Sequence, residues 1–362
     1  MKILLPIKVE TYLDLETDPI TGGIVKFCKQ IYDNIDGVIP VQVTKEDRVK
    51  RRARSIMEKA IFKHDPDVAI GNEIDYTYNG LFQEHDVPLI SIIHEPLNRD
   101  IRMVAMGPRV SKATEIGAHT YFVSGNQQSY LRELFIRITG DDIGAPTGYV
   151  NSSYCDVTAP FFTGIEYDAI TVGRTEALKD PFWLHRKCGK TSAIQSLVVT
   201  STDMSYDNEN QNDYLNKNQS WSRPRNVLKD LSHSQVLTTM ASSGVYVSTC
   251  PSESWGITAL EALTAGLPLI LPTTGSLNAH STEDVAASSN HYRKVPRTVG
   301  ITEFVEVIQD MNKIGIEERR EISDMTKEKH SKEKWVKSIE NMVDRRLAEP
   351  QKSQRTYQAL PV

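Results

Sequence analysis

The fold of this chain is decided by residues 251–268, which read PSESWGITALEALTAGLP. Glu253 lies in a loop after an apolar strand, and Gly256 opens a helix where the backbone must approach a ligand closely. The free N–H groups and positive dipole at a helix N-terminus suit a diphosphate. Glu261 follows about a turn and a half into that helix, where a carboxylate can accept hydrogen bonds from ribose hydroxyls. The stretch therefore predicts a strand, a turn and a helix that bind a nucleotide diphosphate.

Apolar runs alternate with helical patterns on both sides of this stretch, which indicates the α/β fold class. Strands are predicted in the first half at 2–7, 38–43, 67–71, 88–93 and 121–123. Strands are predicted in the second half at 167–172, 196–200, 227–231, 244–248 and 267–271. A single charged helix is predicted over 45–63, and a polar loop over 201–218. Strands that alternate with helices predict open parallel sheets with helices on both faces.

The length of 362 residues exceeds what one hydrophobic core usually supports, so two domains are expected. The regular pattern breaks between 151 and 164, at Asn151-Ser152-Ser153 and at Pro160. We therefore expect two Rossmann-like domains, a charged amphipathic helix and a mobile polar tail, which cover 1–155, 165–330, 331–348 and 349–362 in that order.

The composition excludes several classes of protein. Hydrophobic residues make up 39% and charged residues 25% of the chain, which is too apolar for a disordered protein. The N-terminal apolar run at 3–7 is far too short for a signal or membrane segment, so a cytoplasmic protein with no membrane partner is expected. The four cysteines are scattered without a Cys-x-x-Cys pair, and we expect no metal site. The net charge of −5 argues against a partner that is bound through phosphate neutralisation alone.

Residues 253–268 resemble the donor-site signature of the retaining nucleotide-sugar glycosyltransferases of the GT-B fold. That signature has two glutamates separated by seven residues, a glycine three residues after the first, and a closing Glu-Ala-x-x-x-Gly-x-Pro. Here these are Glu253, Gly256 and 261–268. The resemblance implies two Rossmann-like domains that face each other across a cleft, with a C-terminal helix that crosses back to the first domain.

The resemblance also implies a set of donor-binding residues. In the family the first glutamate contacts the donor sugar and the second holds the nucleotide ribose. Gly173-Arg174 and Lys179 look like the family's Gly-Arg…Lys motif, whose cations hold the diphosphate and stabilise the leaving group, so that no metal or other cofactor is required. Gly22-Gly23 matches the glycine-rich loop after the first strand. The implied donor-binding residues are Gly22, Gly23, Gly173, Arg174, Lys179, Glu253, Ser254, Trp255, Gly256 and Glu261.

A second group of candidate residues follows the fourth predicted strand. His94-Glu95 lies at the carboxyl edge of the sheet, where open α/β sheets place their sites. Family members often carry a histidine here, near the donor sugar and the acceptor, and Glu95 is a candidate base toward the acceptor hydroxyl. In the favoured account of the family, a front-face displacement, the leaving phosphate itself helps to take the acceptor proton. The candidate catalytic residues are His94, Glu95, Arg174 and Lys179.

Basic residues point to the acceptor. The segment 45–54 holds six basic residues, and further arginines follow His94-Glu95. Around a cleft they would form a groove that follows the phosphates of a nucleic acid, although a solvated helix face explains the 45–54 segment as well. The candidate DNA-binding residues are Lys50, Arg51, Arg52, Arg54, Arg99 and Arg102.

The chain also resembles the T-even-type phage DNA α-glucosyltransferases, more loosely than it matches the donor signature. The resemblance lies in 23–27, in the His94-acidic pair followed by arginines, and in 172–175 with Lys179. It implies transfer of glucose or arabinose from a UDP-sugar to 5-hydroxymethylcytosine in duplex DNA, in the host cell cytoplasm. The target base would have to leave the stack to reach the donor.

Other functions remain open from the sequence. The main alternative acceptors are a polysaccharide, a lipid-linked sugar or a small metabolite, and a nucleotide-sugar epimerase can share this fold. The paired cation and glutamate motifs favour transfer over epimerisation. A DNA-binding protein without enzymatic activity has little support, because the chain has no recognisable DNA-reading motif. The sequence determines neither the donor sugar nor the oligomeric state.

Overall fold

The protein folds into two parallel sheets of six strands each, as seen in a computed structural model. The first sheet contains β1 (Ile3–Val9), β2 (Val38–Thr44), β3 (Val68–Asn72), β4 (Leu89–Ile93), β5 (His119–Phe122) and β6 (Gly148–Tyr149), in the order β2-β1-β3-β4-β5-β6. The second contains β7 (Tyr167–Arg174), β8 (Ser196–Ser201), β9 (Val227–Lys229), β10 (Ser243–Val247), β11 (Leu269–Thr273) and β12 (Tyr292–Pro296), in the order β12-β11-β10-β7-β8-β9.

Helices connect the strands. The helices are α1 (Gly23–Asn34), α2 (Lys45–Val49), α3 (Ala53–His64), α4 (Asn79–Glu84), α5 (Trp183–Cys188), α6 (Asn208–Lys217), α7 (His233–Ala241), α8 (Ile257–Thr264), α9 (Ile301–Met311), α10 (Ile316–Lys329) and α11 (Lys332–Ala348). The structure describes residues 1–9, 11–16, 23–72, 79–94, 118–125, 129, 148–155, 158–177, 179–188, 191–201, 208–218, 220, 226–250, 253, 255–273 and 281–349.

The amino-acid pattern explains these elements. Every residue of β3, β4 and β10 is buried, as expected when helices cover both faces of a parallel sheet. Thr44, Ser232 and Ser331 each accept a hydrogen bond from a backbone N–H in the first turn of the helix that follows, which fixes the start of α2, α7 and α11. Because all strands of a sheet are parallel, their carboxyl ends meet at one edge.

The last helix returns to the first sheet, as predicted for the C-terminal helix. The indole of Trp335 on α11 packs edge to face on Phe27 of α1 and on Tyr154, with ring centroids 5.9 and 5.4 Å apart. Its Nε1 donates a hydrogen bond to the carbonyl of Asn151 at 2.9 Å. Near the end of α11, Arg346 donates through Nε to the carbonyl of Leu89 at 3.3 Å.

His330, between α10 and α11, joins the two halves. Its Nδ1 lies 3.2 Å from the amide nitrogen of Asn151, and its Nε2 lies 2.7 Å from the carbonyl oxygen of Val285. The Nε2–H therefore donates to Val285 and Nδ1 accepts from Asn151, which requires a neutral imidazole. Its backbone carbonyl accepts a hydrogen bond from the Cys155 N–H at 2.9 Å.

Two predictions about local structure are wrong. The segment predicted as one charged helix over 45–63 is two helices, α2 and α3, because Arg51 between them has a left-handed backbone with φ of 55° that no α-helix accommodates. The segment predicted as a polar loop over 201–218 contains α6, whose side chains are too polar to show a helical pattern of apolar residues. The prediction also missed the edge strand β12, which has a single fully buried residue, Val295.

Among the described residues, no helix combines the length and the apolarity that a membrane span requires.

Candidate functional site

The candidate donor site lies at the carboxyl edge of the second sheet. Arg174 is the last residue of β7, and Lys179 lies in the loop that follows. Glu253 follows β10, and His233 follows β9. Since these strands end at the same edge, residues that are far apart in sequence meet there.

Lys179 and Glu253 form an ion pair at the centre of this edge. The Lys179 ammonium donates to Oε2 of Glu253 at 2.6 Å, and both side chains are largely buried. Burial and the nearby Arg174 lower the pKa of Lys179, but the Glu253 carboxylate outweighs them and raises it above its ordinary value. The ammonium is therefore charged at neutral pH and can stabilise negative charge that forms beside it.

Arg174 adds a second cation to the same region. Its guanidinium pairs with the carboxylate of Glu176, with 3.0 Å between the nearest nitrogen and oxygen. Gly173 precedes it, where an added Cβ would stand 3.5 Å from the Cβ of Lys179, an ordinary contact. Two cations at one site suit a diphosphate better than a single negative group.

A buried network that sequence analysis missed holds the Lys179 loop. Asp180 adopts a left-handed backbone with φ of 42°, and its carboxylate accepts hydrogen bonds from Tyr214 at 2.8 Å and from Arg186. Arg297 pairs with the same carboxylate and donates to the carbonyl of Thr249. Thr249 in turn donates through its hydroxyl to the carbonyl of Lys179 at 2.8 Å. The loops that carry Lys179 and Glu253 are thus fastened to each other.

The start of α8 requires glycine at position 256. Gly256 has φ of 89°, and an added Cβ would lie 3.0 Å from the side chain of Thr282. The left-handed backbone and the close contact both exclude larger residues. One turn later, the side chain of Glu261 is 10% exposed and its Oε1 lies 2.9 Å from Nε2 of His233 and 3.3 Å from Nζ of Lys26. Sequence analysis missed both of these partners.

Trp255, one of the implied donor-binding residues, has a buried side chain. Its indole is 2% exposed and packs edge to face on His330, with 5.5 Å between ring centroids. A large aromatic ring gains more from burial in the core than from exposure at a polar cleft. A contact between Trp255 and the donor would have to come from its backbone.

His94 directly follows β4, at the carboxyl edge of the first sheet. Its Nε2 lies 3.0 Å from Oδ1 of Asn72, whose Nδ2 donates to Sγ of Cys28 at 3.0 Å, so that Nε2 is the protonated nitrogen. The ring packs edge to face on Phe27. Burial lowers the pKa of His94 from 6.5 to about 3. The imidazole is therefore neutral at physiological pH and offers Nδ1 as a hydrogen-bond acceptor.

The described basic residues at 50–54 are exposed but largely paired. Lys50 and Arg52 form ion pairs with Glu46, Arg52 also approaches Asp47, and Arg54 pairs with Glu84. Neighbouring carboxylates thus offset part of the positive charge that the sequence predicts for this segment. Five predicted site residues lie outside the described part of the chain, namely Gly22, Glu95, Arg99, Arg102 and Ser254, and Gly23 begins α1.

No three His, Cys, Asp or Glu side chains group as a metal site in the portion of the chain that the structure describes.

Several histidines are buried, and two of them, His94 and His330, make folding especially sensitive to acid. Burial lowers the pKa of His330 from 6.5 to about 4, and that of His94 to about 3. Between these pKa values and pH 6.5 the unfolded chain binds more protons than the folded chain. The two imidazoles therefore leave the free energy of unfolding unaffected well above pH 6.5 and lower it as the pH falls. Between pH 6.5 and 5 we expect the free energy of unfolding to fall by about 2 kcal/mol for each imidazole.

Urea denaturation at pH 7.5 and pH 5 measures this loss. The variant His330→Gln is expected to lose about 2 kcal/mol less over this pH range than the unsubstituted protein, since it removes one of the titrating imidazoles. Equal unfolding free energies at the two pH values would contradict the prediction.

Sequence comparisons find no relatives, whereas structural comparisons find many. No model of a protein family matches the sequence, and no curated protein matches it. The sucrose-phosphate synthase of Thermosynechococcus elongatus superposes with a TM-score of 0.70 and 10% identity, over 95% of this chain and 99% of that one. A glycosyltransferase from Rickettsia africae ESF-5 gives a TM-score of 0.66 and 11% identity, over 96% and 99%. HepE of Anabaena, solved with UDP and glucose, gives 0.64 and 11%, over 95% and 99%.

Sequence identities of 10–11% support a shared fold and no more than that. The superposed chains share the architecture of this chain over nearly their whole length. The prediction of fold class is confirmed, and this chain has the GT-B fold.

Proposed function

We propose that this protein is a retaining glycosyltransferase that takes its sugar from a UDP-sugar. The observation that carries the proposal is the Lys179–Glu253 ion pair, with Glu261 on the helix that follows Glu253. Burial raises the pKa of Tyr246, and the charges of Glu253, Lys179 and Glu261 all act on its hydroxyl, so the three groups lie near the same buried tyrosine. A cation, a carboxylate for the sugar and a carboxylate for the ribose are the groups that a nucleotide-sugar needs.

The roles of these residues follow from their chemistry. Arg174 and Lys179 would hold the diphosphate and stabilise the charge that grows on UDP as the glycosidic bond breaks. Glu261 would accept hydrogen bonds from the ribose hydroxyls, and Glu253 would contact the sugar. The neutral imidazole of His94, across the cleft, can accept a hydrogen bond from a hydroxyl of the sugar or of the acceptor. Retention of configuration fits a front-face displacement in which the leaving phosphate takes the acceptor proton.

The choice of UDP is supported by solved structures that share the fold. HepE of Anabaena has been solved with UDP-glucose, at a TM-score of 0.65. The pneumococcal O-GlcNAc transferase GtfA has been solved with UDP and GlcNAc, at a TM-score of 0.56, and this chain covers 60% of it. These ligands belong to those two proteins. Because the fold is shared, UDP-sugars are the first donors to test with this protein.

For the acceptor, we propose 5-hydroxymethylcytosine in duplex DNA. Support comes from the resemblance to the phage enzymes and from exposed basic side chains next to the carboxyl end of β2, on the half that faces the donor. Acidic side chains already pair with Lys50, Arg52 and Arg54. To bind DNA, each of these cations would have to exchange its carboxylate partner for a phosphate. A glycan or a small metabolite is the alternative acceptor.

A transfer assay tests both parts of the proposal. Radiolabelled UDP-glucose and UDP-arabinose are each offered to duplex DNA with and without 5-hydroxymethylcytosine, in the presence of EDTA. Label on modified DNA alone is the expected result, and the productive donor identifies the sugar. Slow hydrolysis of one donor without label on DNA would overturn the DNA acceptor and retain the glycosyltransferase. If neither donor is consumed with any acceptor, the glycosyltransferase proposal is wrong.

Charge reversal at Arg51, Arg52 and Arg54 tests the DNA contact separately. The triple glutamate variant is expected to bind duplex DNA more weakly. The slope of the logarithm of its binding constant against the logarithm of the salt concentration should be smaller by about 0.9 for each phosphate that is no longer neutralised. Fluorescence anisotropy at several salt concentrations measures both quantities. A matched control reverses Lys313 and Arg320, which are exposed on the second half. If the two variants bind DNA alike, the segment is a solvated surface.

A further inference from the structure

Lys26 reaches from the first half of the protein into the donor site of the second half. It lies on α1, directly after the predicted glycine-rich loop, and its Nζ stands 3.3 Å from Oε1 of Glu261 on α8. The two residues are 235 positions apart in the chain. The side chain of Lys26 is 33% exposed and that of Glu261 is 10% exposed, so the pair is well shielded from water.

The carboxylate of Glu261 is held by one oxygen. Oε1 faces both Lys26 and Nε2 of His233, at 3.3 and 2.9 Å. Oε2 has no hydrogen-bond partner among the residues that the structure describes. A carboxylate that is this deeply buried needs a compensating charge, and Lys26 supplies it. The result is a fixed carboxylate with one oxygen left to accept hydrogen bonds from a ligand.

Packing holds the helix that carries Lys26. Phe27, the next residue, packs edge to face on His94 and on Trp335. One turn later Gln30 donates through its side-chain amide to the hydroxyl of Ser153 at 3.0 Å. The backbone of Lys26 is therefore part of the first half, and its ammonium meets Glu261 only while the two halves face each other as they do here.

We infer that Lys26 is a positioning residue for ribose recognition, and that the first half supplies it to a site otherwise built by the second half. Lys26, together with His233, fixes Oε1 of Glu261 so that Oε2 accepts the hydrogen bond from the ribose 2′-hydroxyl. This inference rests on the proposed function, because it concerns the ribose of the same UDP donor. Ribose recognition then requires both halves of the protein, although every residue of the donor signature lies in one of them.

Binding of UDP and of 2′-deoxy-UDP distinguishes this role from general support of the fold. Isothermal titration calorimetry gives both dissociation constants for the unsubstituted protein and for Lys26→Met. The unsubstituted protein is expected to prefer UDP by about tenfold or more, the usual effect of one hydrogen bond to a charged group. In Lys26→Met we expect UDP to bind roughly tenfold more weakly and the preference over 2′-deoxy-UDP to fall below about threefold.

Two further variants serve as controls. Lys29→Met removes a lysine from the same helix whose ammonium pairs with Asp33, at 2.7 Å, and both constants should stay unchanged. Glu261→Gln keeps the size of the side chain and should lose the preference for UDP even with Lys26 in place. Adding Lys26→Met to Glu261→Gln should then cause little further loss, because the two residues act as one unit.

The outcomes separate this inference from the proposal on which it rests. If the unsubstituted protein does not bind UDP, the donor proposal is overturned and the inference with it. If it binds UDP and Lys26→Met keeps the full preference over 2′-deoxy-UDP, only the role of Lys26 is overturned. If Lys26→Met weakens UDP and 2′-deoxy-UDP by the same factor, Lys26 does not act through the 2′-hydroxyl, and the inference is overturned as well.

Discussion

Replacing Lys179 with methionine is expected to lower the turnover of sugar transfer by about 100- to 1000-fold, the usual effect of removing one group that stabilises transition-state charge. The Lys179 ammonium is buried beside Glu253 and stays charged, because that carboxylate raises its pKa. Its charge matters most when the leaving UDP gains negative charge, so turnover should fall more than donor affinity. Methionine keeps the length and the packing of the side chain.

Steady-state kinetics at saturating donor, together with calorimetric binding of UDP, measure the two effects separately. Lys217→Met is a suitable control, since Lys217 is an exposed residue that pairs with Asp213 one helical turn away. The double variant with Glu253→Gln removes the carboxylate that would otherwise be left buried without its cation. If donor affinity falls while turnover stays unchanged, Lys179 binds the ground state only and its assigned role is wrong.

Replacing Trp335 with alanine is expected to lower the free energy of unfolding by about 3–5 kcal/mol, the usual cost of truncating a buried aromatic side chain. Trp335 is 3% exposed and packs between α11 and α1. Its indole contacts Phe27 and Tyr154, and its Nε1 donates to the carbonyl of Asn151. The truncation leaves a cavity and an unsatisfied carbonyl where the final helix docks.

Chemical denaturation followed by circular dichroism measures the loss. Trp335→Phe keeps an aromatic ring but removes the Nε1 donor, so a smaller loss is expected, of which about 0.5–1.5 kcal/mol belongs to the hydrogen bond. Leu347→Ala, at an exposed position near the end of the same helix, should change the stability by less than about 0.5 kcal/mol. An unfolding midpoint for Trp335→Ala equal to that of Leu347→Ala would show that the helix is not docked through this residue.

The architecture was predictable because its signals are local. Runs of buried apolar residues such as those in β3, β4 and β10 are typical of parallel strands wherever they occur. The segment 251–268 carries Glu253, which follows a strand, a glycine with left-handed backbone and the helix after it, all within eighteen neighbouring positions. Local patterns failed where a single backbone conformation interrupts them, as Arg51 does between α2 and α3.

The candidate site was predictable only in part. Lys179 and Glu253 were named from the sequence, and the structure brings their side chains into contact. Trp255 was named as well, but its place in the signature does not show that its indole packs on His330 in the core. Side-chain direction depends on the neighbours that tertiary packing supplies.

By itself, the sequence determined that this chain forms alternating strands and helices, and it singled out the candidate donor-site residues of the second half. Those properties follow from residue type and from spacing over a few turns. Only the tertiary structure decided that Lys26 meets Glu261, that Arg297 holds the Lys179 loop through Asp180 and Thr249, and that His94 is neutral. Ion pairing and desolvation depend on distance and burial in space, which positions along a chain do not specify.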